Sequence, residues 1–304
     1  MNTPNHAVGA IVAGVDSTEA SLRAVRWAAN TAAKHHLPLQ LVHAAGFPDL
    51  YVGTTVPPPE SFMEELRRQS WETLRAARDI ARQAGDAGDI DIHTRFETDP
   101  PIPFLLRASS EAAMIVLGSS GRTGLTGALV GSTTLALVAH AGCPVVSVRS
   151  DYAEVATDDR RPVVVGIDGS PTSERAIGYA FDEASFRGVE LVAVHTWSDT
   201  DTDVFSEARM YFDWEPMREV EQRRLAERLA GWQEKYPDVP VRRVIEKDKP
   251  RHELLEWSRR AQLLVVGSRG RGGFTGMLLG STSQALIHHA ECPVMIARSE
   301  RAGE

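Results

Sequence analysis

The stretch Met114-Ile-Val-Leu-Gly-Ser-Ser-Gly121, followed nine residues later by Gly131-Ser132, decides the fold of this chain. An apolar run enters a glycine loop, and an apolar helical stretch leaves it. The same order returns at Leu263-Leu-Val-Val-Gly-Ser-Arg-Gly270, again with nine residues before Gly280-Ser281. A glycine loop between strand and helix lets backbone N–H groups approach an anion, and the helix start adds unpaired N–H groups and the positive end of its dipole. The pattern suits phosphate, and it occurs twice.

The likeness extends beyond the loops. Ile11-Val-Ala-Gly-Val-Asp16 matches Val163-Val-Val-Gly-Ile-Asp168, and His43 matches His195, an offset of about 152 positions. Ala141-Gly-Cys-Pro-Val-Val146 matches Ala290-Glu-Cys-Pro-Val-Met295 at an offset of about 149. A period this long is a duplicated domain, not a solenoid repeat. The expected units are residues 1–150 and 162–304, joined by an acidic, aperiodic linker at 151–161 that spans on the order of 35 Å when extended.

At 304 residues, each half is long enough to bury a sizeable core. Forty-one acidic against 33 basic residues give a net charge of −8, which disfavours nucleic acid and acidic membranes in the absence of a basic patch. Arg67-Arg68 and Arg223-Arg224 alternate with Glu and read as solvated helix faces. The sequence shows no leader and no long apolar run, so a cytoplasmic, non-membrane protein is expected. Cys143 and Cys292 read as small packed residues before Pro144 and Pro293.

The first half alternates strand (7–15), helix (18–35), strand (38–43), helix (60–84), strand (90–97), helix (102–110), strand (114–117), helix (132–140) and strand (144–148). Leu22, Val25, Ala29 and Ala32, like Ile177, Phe181 and Ala184, place one apolar stripe on the first helix of each half. Ser17 and Ser170 stand where N-caps are expected. Alternation with short connections requires parallel strands and right-handed crossovers, hence a doubly wound α/β sheet whose ligands bind at the carboxyl ends of the strands. If the first and fourth strands are neighbours, Asp16 and Gly118 face one crevice.

Neither loop is a Walker A motif, since no Lys precedes Ser132 or Ser281, and Gly-x-Gly-x-x-Gly is missing after the first strands. Gly-x2-Gly-x9-Gly-Ser, the aspartate ending the first strand and the Cys-Pro entry to the last instead resemble the universal stress protein family of ATP-binding type, in tandem. The resemblance covers nearly the whole chain. It implies a five-stranded parallel sheet per half, strand order 3-2-1-4-5, and ATP held by the motif, with Mg or Mn as the accompanying cation.

Carried onto this chain, the resemblance makes Gly118, Ser119, Ser120, Gly121, Arg122, Thr123 and Gly124 the first loop. Gly267, Ser268, Arg269, Gly270, Arg271, Gly272 and Gly273 make the second. Gly131, Ser132 and Thr133, and Gly280, Ser281 and Thr282, would present donors to phosphates. Asp16 and Asp168 would bind ribose or a divalent cation, with Gly14 and Gly166 leaving room for another group. Helix capping is the plainer role for Ser132 and Ser281, and a solvated face for Arg122, Arg269 and Arg271. His43 and His195 read as packed or hydrogen-bonded strand-end residues, because no second ligand stands at metal spacing.

No candidate general base repeats beside the loops except the aspartates, so the expectation is an ATP-binding stress or regulatory protein with little turnover. Two other classes stay open. One is an ATP-dependent activating enzyme of a related fold, although its Ser-Gly-Gly-x-Asp-Ser or His-x-Gly-His signatures are missing. The other is an interaction module in which nucleotide is structural and the loop around Tyr211 to Trp214 binds an unidentified protein partner. The apolar last strand of each half is expected at a sheet edge, where duplication lets the two edges pair within the chain; in single-domain relatives the same edge would make a homodimer.

Overall fold

Val163-Val-Val-Gly-Ile167 shows why these segments are interior strands: Val163 and Val165 enter one apolar cluster and Val164 the other. Branched residues buried on both sides of a pleat are the mark of a parallel sheet covered by helices on both faces. The computed structural model describes residues 9–46, 58–84, 90–119, 130–149, 159–196, 215–246, 249–270 and 278–298.

The first half runs β1 (Ile11–Gly14), α1 (Glu19–His35), β2 (Leu39–Ala44), α2 (Glu60–Arg82), β3 (Ile92–Glu97), α3 (Pro101–Ala108), β4 (Met114–Gly118), α4 (Ser132–His140) and β5 (Val145–Val148). The second repeats it as β6 (Val163–Ile167), α5 (Pro171–Arg187), β7 (Leu191–Thr196), α6 (Glu215–Lys235), β8 (Val241–Glu246), α7 (Pro250–Ser258), β9 (Leu263–Gly267), α8 (Ser281–His289) and β10 (Val294–Ala297). Each half has the order 3-2-1-4-5. The halves join edge to edge, giving β3-β2-β1-β4-β5-β10-β9-β6-β7-β8.

All pairings are parallel except the junction, where β5 and β10 run antiparallel with Ser147 opposite Val294, Val146 opposite Met295 and Val145 opposite Ile296. Met295 is the second copy of Val146, so a pseudo-twofold axis passes through that pair. Arg149 and Arg298, also copies of each other, cross the axis: Arg149 donates to His288 O in α8, and Arg298 to Val138 O in α4 at 2.7 Å. Each half therefore places a cation on the carbonyl end of the other's last helix, where the dipole favours it.

Helices α1, α2, α5 and α6 cover one face and α3, α4, α7 and α8 the other. On α1 and α5 the expected stripes are packed inward, with Val25, Ala29, Ile177 and Phe181 all fully buried. Both cysteines are buried free thiols, and burial pushes each up to about 12. Arg68 pairs with Glu65 and Glu72 on the exposed face of α2, as the alternation of charge implied. Of the linker, 151–158 lies outside the described residues; at its end Gln262 Nε2 donates to Arg161 O at 2.6 Å, which docks that segment on the second half.

One cap differs from the expectation. Ser170 caps α5, but Thr18, not Ser17, caps α1 by accepting from Ser21 N–H. Ser17 takes the left-handed conformation (φ 63°) that Gly169 takes in the second half (φ 77°), and this turn moves the capping position one residue on.

Candidate functional site

Strand β1 lies between β2 and β4, in register Ala13 with Val116, and β6 lies likewise between β7 and β9, Val165 with Val265. The chain reverses its winding direction at these neighbours, so their carboxyl ends open a crevice. Asp16 and Ser119 leave the sheet on the two sides of one crevice, Asp168 and Ser268 on the two sides of the other.

Each aspartate closes a tight turn. Asp16 Oδ1 accepts from Thr18 N–H (3.1 Å) and Thr18 Oγ1 (2.6 Å); Asp168 Oδ1 accepts from Ser170 N–H (2.9 Å) and Ser170 Oγ (2.7 Å). The other oxygen of Asp168 faces the loop: a Cβ on Gly270 would stand 2.5 Å from Oδ2. The aspartate and the second loop glycine are therefore brought together.

The glycines divide by what they touch. A Cβ on Gly118 would lie 2.7 Å from Ala20 C and Ser21 N, and one on Gly267 2.9 Å from Ser173 N, so the first loop glycine lets the first turn of α1 or α5 pack against the strand end. The room beside Gly14 and Gly166 is taken by Leu117 and by Leu254 and Val266, not left for a ligand. Gly131 and Gly280 are N-caps whose own N–H groups donate to Ser119 O and Ser268 O at 2.8 Å; they are spent within the loop rather than offered to an anion.

Among the described residues, the donors that remain belong to the first turns of α4 and α8. Their first backbone bonds are Leu135 N–H to Gly131 O and Gln284 N–H to Gly280 O, which leaves the amides of Ser132, Thr133 and Thr134, and of Ser281, Thr282 and Ser283, without an intrahelical acceptor. The N-cap of each is a glycine, which offers these amides no side chain, and neither helix has an acid in its first turn. The contrast with α1 and α5 is internal: those helices carry hydroxyl caps and Glu19 or Glu174 in the first turn. The hydroxyls of Thr134 and Ser283 turn back to Gly118 O and Gly267 O, while Ser132 and Ser281 are exposed.

Both strand-end histidines are buried and hydrogen-bonded: His43 Nδ1 donates to Val15 O at 2.6 Å and His195 Nδ1 to Ile167 O at 2.7 Å. Their far edges differ. His195 Nε2 faces Glu221 of α6 at 3.2 Å, and Glu221 also accepts from Arg224, whereas His43 packs beside Phe96. Sequence reasoning missed Glu221, which sits in a run of alternating charge, and missed Thr18 and Thr172. Ser120, Gly121, Arg122, Thr123, Gly124, Arg271, Gly272 and Gly273 lie outside the described residues. Arg269 is exposed. Among the described residues no group of three His, Cys, Asp or Glu is placed to hold a metal, and no helix is long and apolar enough to cross a membrane.

Fold and site define a duplicated doubly wound α/β protein with a glycine-capped helix N-terminus at each crossover crevice. A sequence model of the universal stress protein family matches residues 8–149 and 159–298, and the chain belongs to that family, whose role is in the stress response. A universal stress protein of Mycobacterium tuberculosis is 44% identical over 299 residues, 98% of this chain and 99% of the relative. One from Mycolicibacterium smegmatis is 43% identical over 294 residues, 95% and 96% of the two chains. The crystal structure of a universal stress protein from Archaeoglobus fulgidus shares the fold, with a TM-score of 0.67 at 21% identity, covering 96% of this chain and 99% of the other.

Proposed function

We propose that each half binds one adenine nucleotide, ATP in preference, and that the protein acts in stress adaptation as a nucleotide-dependent regulator rather than as an efficient ATPase. The observation that carries this reading is the pair of glycine-capped, acid-free N-termini of α4 and α8 at the sheet crossovers, where α1 and α5 carry hydroxyl caps and an acid in the first turn. Free amides at the positive end of a helix suit phosphate oxygens. The preference for adenine rests on the family resemblance.

Among the described residues, the turn at each crevice supplies one carboxylate, Asp16 or Asp168. A Mg or Mn ion would then be held chiefly by the phosphates with that carboxylate as a single protein ligand, the usual arrangement for Mg with nucleotides. The ion would neutralise phosphate charge. The carboxylate that holds the ion is then committed to it, and no second candidate base repeats beside the loops, which supports slow turnover.

Calorimetric titration with Mg-ATP tests the proposal. Ser132→Glu and Ser281→Glu place a carboxylate at the open helix start, where it suits the dipole but repels phosphate. The wild-type chain should bind two nucleotides, each variant one and the double variant none. No binding at millimolar nucleotide would end the reading. Turnover in the range of roughly 1 to 100 s⁻¹ typical of kinases, lost in Asp16→Ala with Asp168→Ala, would instead make the protein an enzyme.

A further inference from the structure

The two halves hold Ser119 and Ser268, at the start of the glycine loop, by the same bonds, and differ in the residue that follows the aspartate turn. Ser119 N–H donates to Val148 O and Ser119 O accepts from Gly131 N–H, both at 2.8 Å; Ser268 makes the matching bonds to Ala297 O and Gly280 N–H, also at 2.8 Å. The aspartate turns match as well, closed by Thr18 in one half and Ser170 in the other.

In the second half the next peptide has a side-chain anchor as well. Arg269 O accepts from Thr172 Oγ1 at 2.5 Å. Ser170 Oγ lies 3.1 Å from the same carbonyl, but its proton goes to the closer Asp168 carboxylate at 2.7 Å, so Thr172 is the donor. The residue that corresponds to Thr172 in the first half is Ala20, which has no hydroxyl.

We infer that Thr172 is a positioning residue that pre-forms the second crevice and makes it the tighter of the two nucleotide sites; this rests on the nucleotide reading above. Thr172 ties Ser268–Gly270 to the first turn of α5, with Gly270 against Asp168 Oδ2, before any ligand arrives. Backbone that is already fixed loses less freedom on binding, and the saving appears as affinity. The advantage is that of one hydrogen bond between neutral groups, roughly five-fold in dissociation constant.

The experiment uses the full chain with one site blocked at a time. Ser132→Glu leaves the second site to be read by Mg-ATP titration, and Ser281→Glu leaves the first. The second site should bind roughly five-fold tighter. Thr172→Ala in the Ser132→Glu chain should abolish the difference, and Thr172→Ser, which keeps the hydroxyl, should retain it. Equal affinities in the two single-site chains, or an affinity unmoved by Thr172→Ala, or a failure of Thr172→Ser to rescue, would overturn the inference.

A ligand-free measurement separates this claim from the one beneath it. Hydrogen exchange at the Gly280 amide, which bonds Ser268 O, should quicken in Thr172→Ala while the Gly131 amide stays unchanged. A wild-type chain that binds no Mg-ATP overturns the affinity claim together with the nucleotide reading, and the exchange result then shows on its own whether Thr172 anchors the loop.

Discussion

His35 Nε2, in the last turn of α1, lies 3.2 Å from Glu183 Oε1 on α5, across the boundary between the halves. In the repeat, His35 corresponds to Arg187 and Thr31 to Glu183. The pair is therefore answered by its own copy, Arg187 donating to Thr31 Oγ1 at 3.1 Å. Arg187 also holds Glu183 at 2.9 Å and lies over the Trp27 ring, and Phe186 stacks on His35 at 4.0 Å. One relationship across the axis has become two, with the charges on α5 and their partners on α1.

The acid dependence of stability should pass through Glu183. Burial alone pushes its carboxyl up, but the charge of Arg187 and the contact with His35 outweigh burial and hold it below the usual carboxylate range. A lowered folded-state pKa means that the carboxylate stabilises the fold above its ordinary value of 4.5 and that this contribution is lost as pH falls from there through the folded value. Urea midpoints should fall between pH 5 and pH 3, less steeply in Glu183→Gln. At pH 7, Glu183→Ala should cost about 3 kcal/mol, because it leaves the buried Arg187 without its carboxylate. A Glu183→Gln chain with the wild-type acid profile would contradict this.

Ser17 carries a left-handed conformation that its counterpart meets with glycine. Ser17→Gly should stabilise the chain by about 0.5 kcal/mol, the relief of the left-handed strain exceeding the entropy that glycine adds to the unfolded state. Gly169→Ala should do the reverse and cost about 1 kcal/mol. Thermal melts of both variants decide it, and a destabilised Ser17→Gly would show that the exposed hydroxyl contributes more than the strain costs.

Much of this fold could be read from apolar runs and their spacing. The bounds of α4 agree with the expected 132–140, and those of α1 differ from 18–35 by one residue. The order of strands came from the family resemblance, since alternation alone fixes parallel pairing but not sequence of neighbours. What escaped was decided by backbone geometry or by side chains distant in sequence. Ser17 and Thr18 are both capping residues, and only the sign of φ chooses between them. Glu221 reaches His195 from a helix whose charges all look solvated. Gly14 and Gly166 look like room for a ligand until Leu117 and Leu254 are seen filling it.

The junction strands contain one mismatch. Ser147 Oγ is buried and has no hydrogen-bond partner among the described residues, in a strand position that the second half fills with Ile296. Ser147→Val removes an unsatisfied hydroxyl and adds apolar contact, so it should raise stability by about 1 kcal/mol. Denaturant midpoints at constant slope would check this; a loss of stability would mean that the site is too tight for the added methyls.

The same junction predicts how the halves behave apart. In the full chain β5 and β10 cover each other, and Arg149 and Arg298 secure the contact by capping each other's last helices. Cut at the linker, residues 1–150 would expose β5, a four-residue edge of three valines and Ser147 with open N–H and C=O groups, and residues 162–304 would expose β10. Such an edge invites a second strand. The axis supplies the register: Val146 faces Met295 in the chain, so two copies of the first half would place Val146 opposite Val146 and Ser147 opposite Val145. Each half expressed alone should dimerise or aggregate, while in the full chain these edges stay covered. Light scattering on the separated halves decides it, and two well-behaved monomers at high micromolar concentration would show that the edges need no partner.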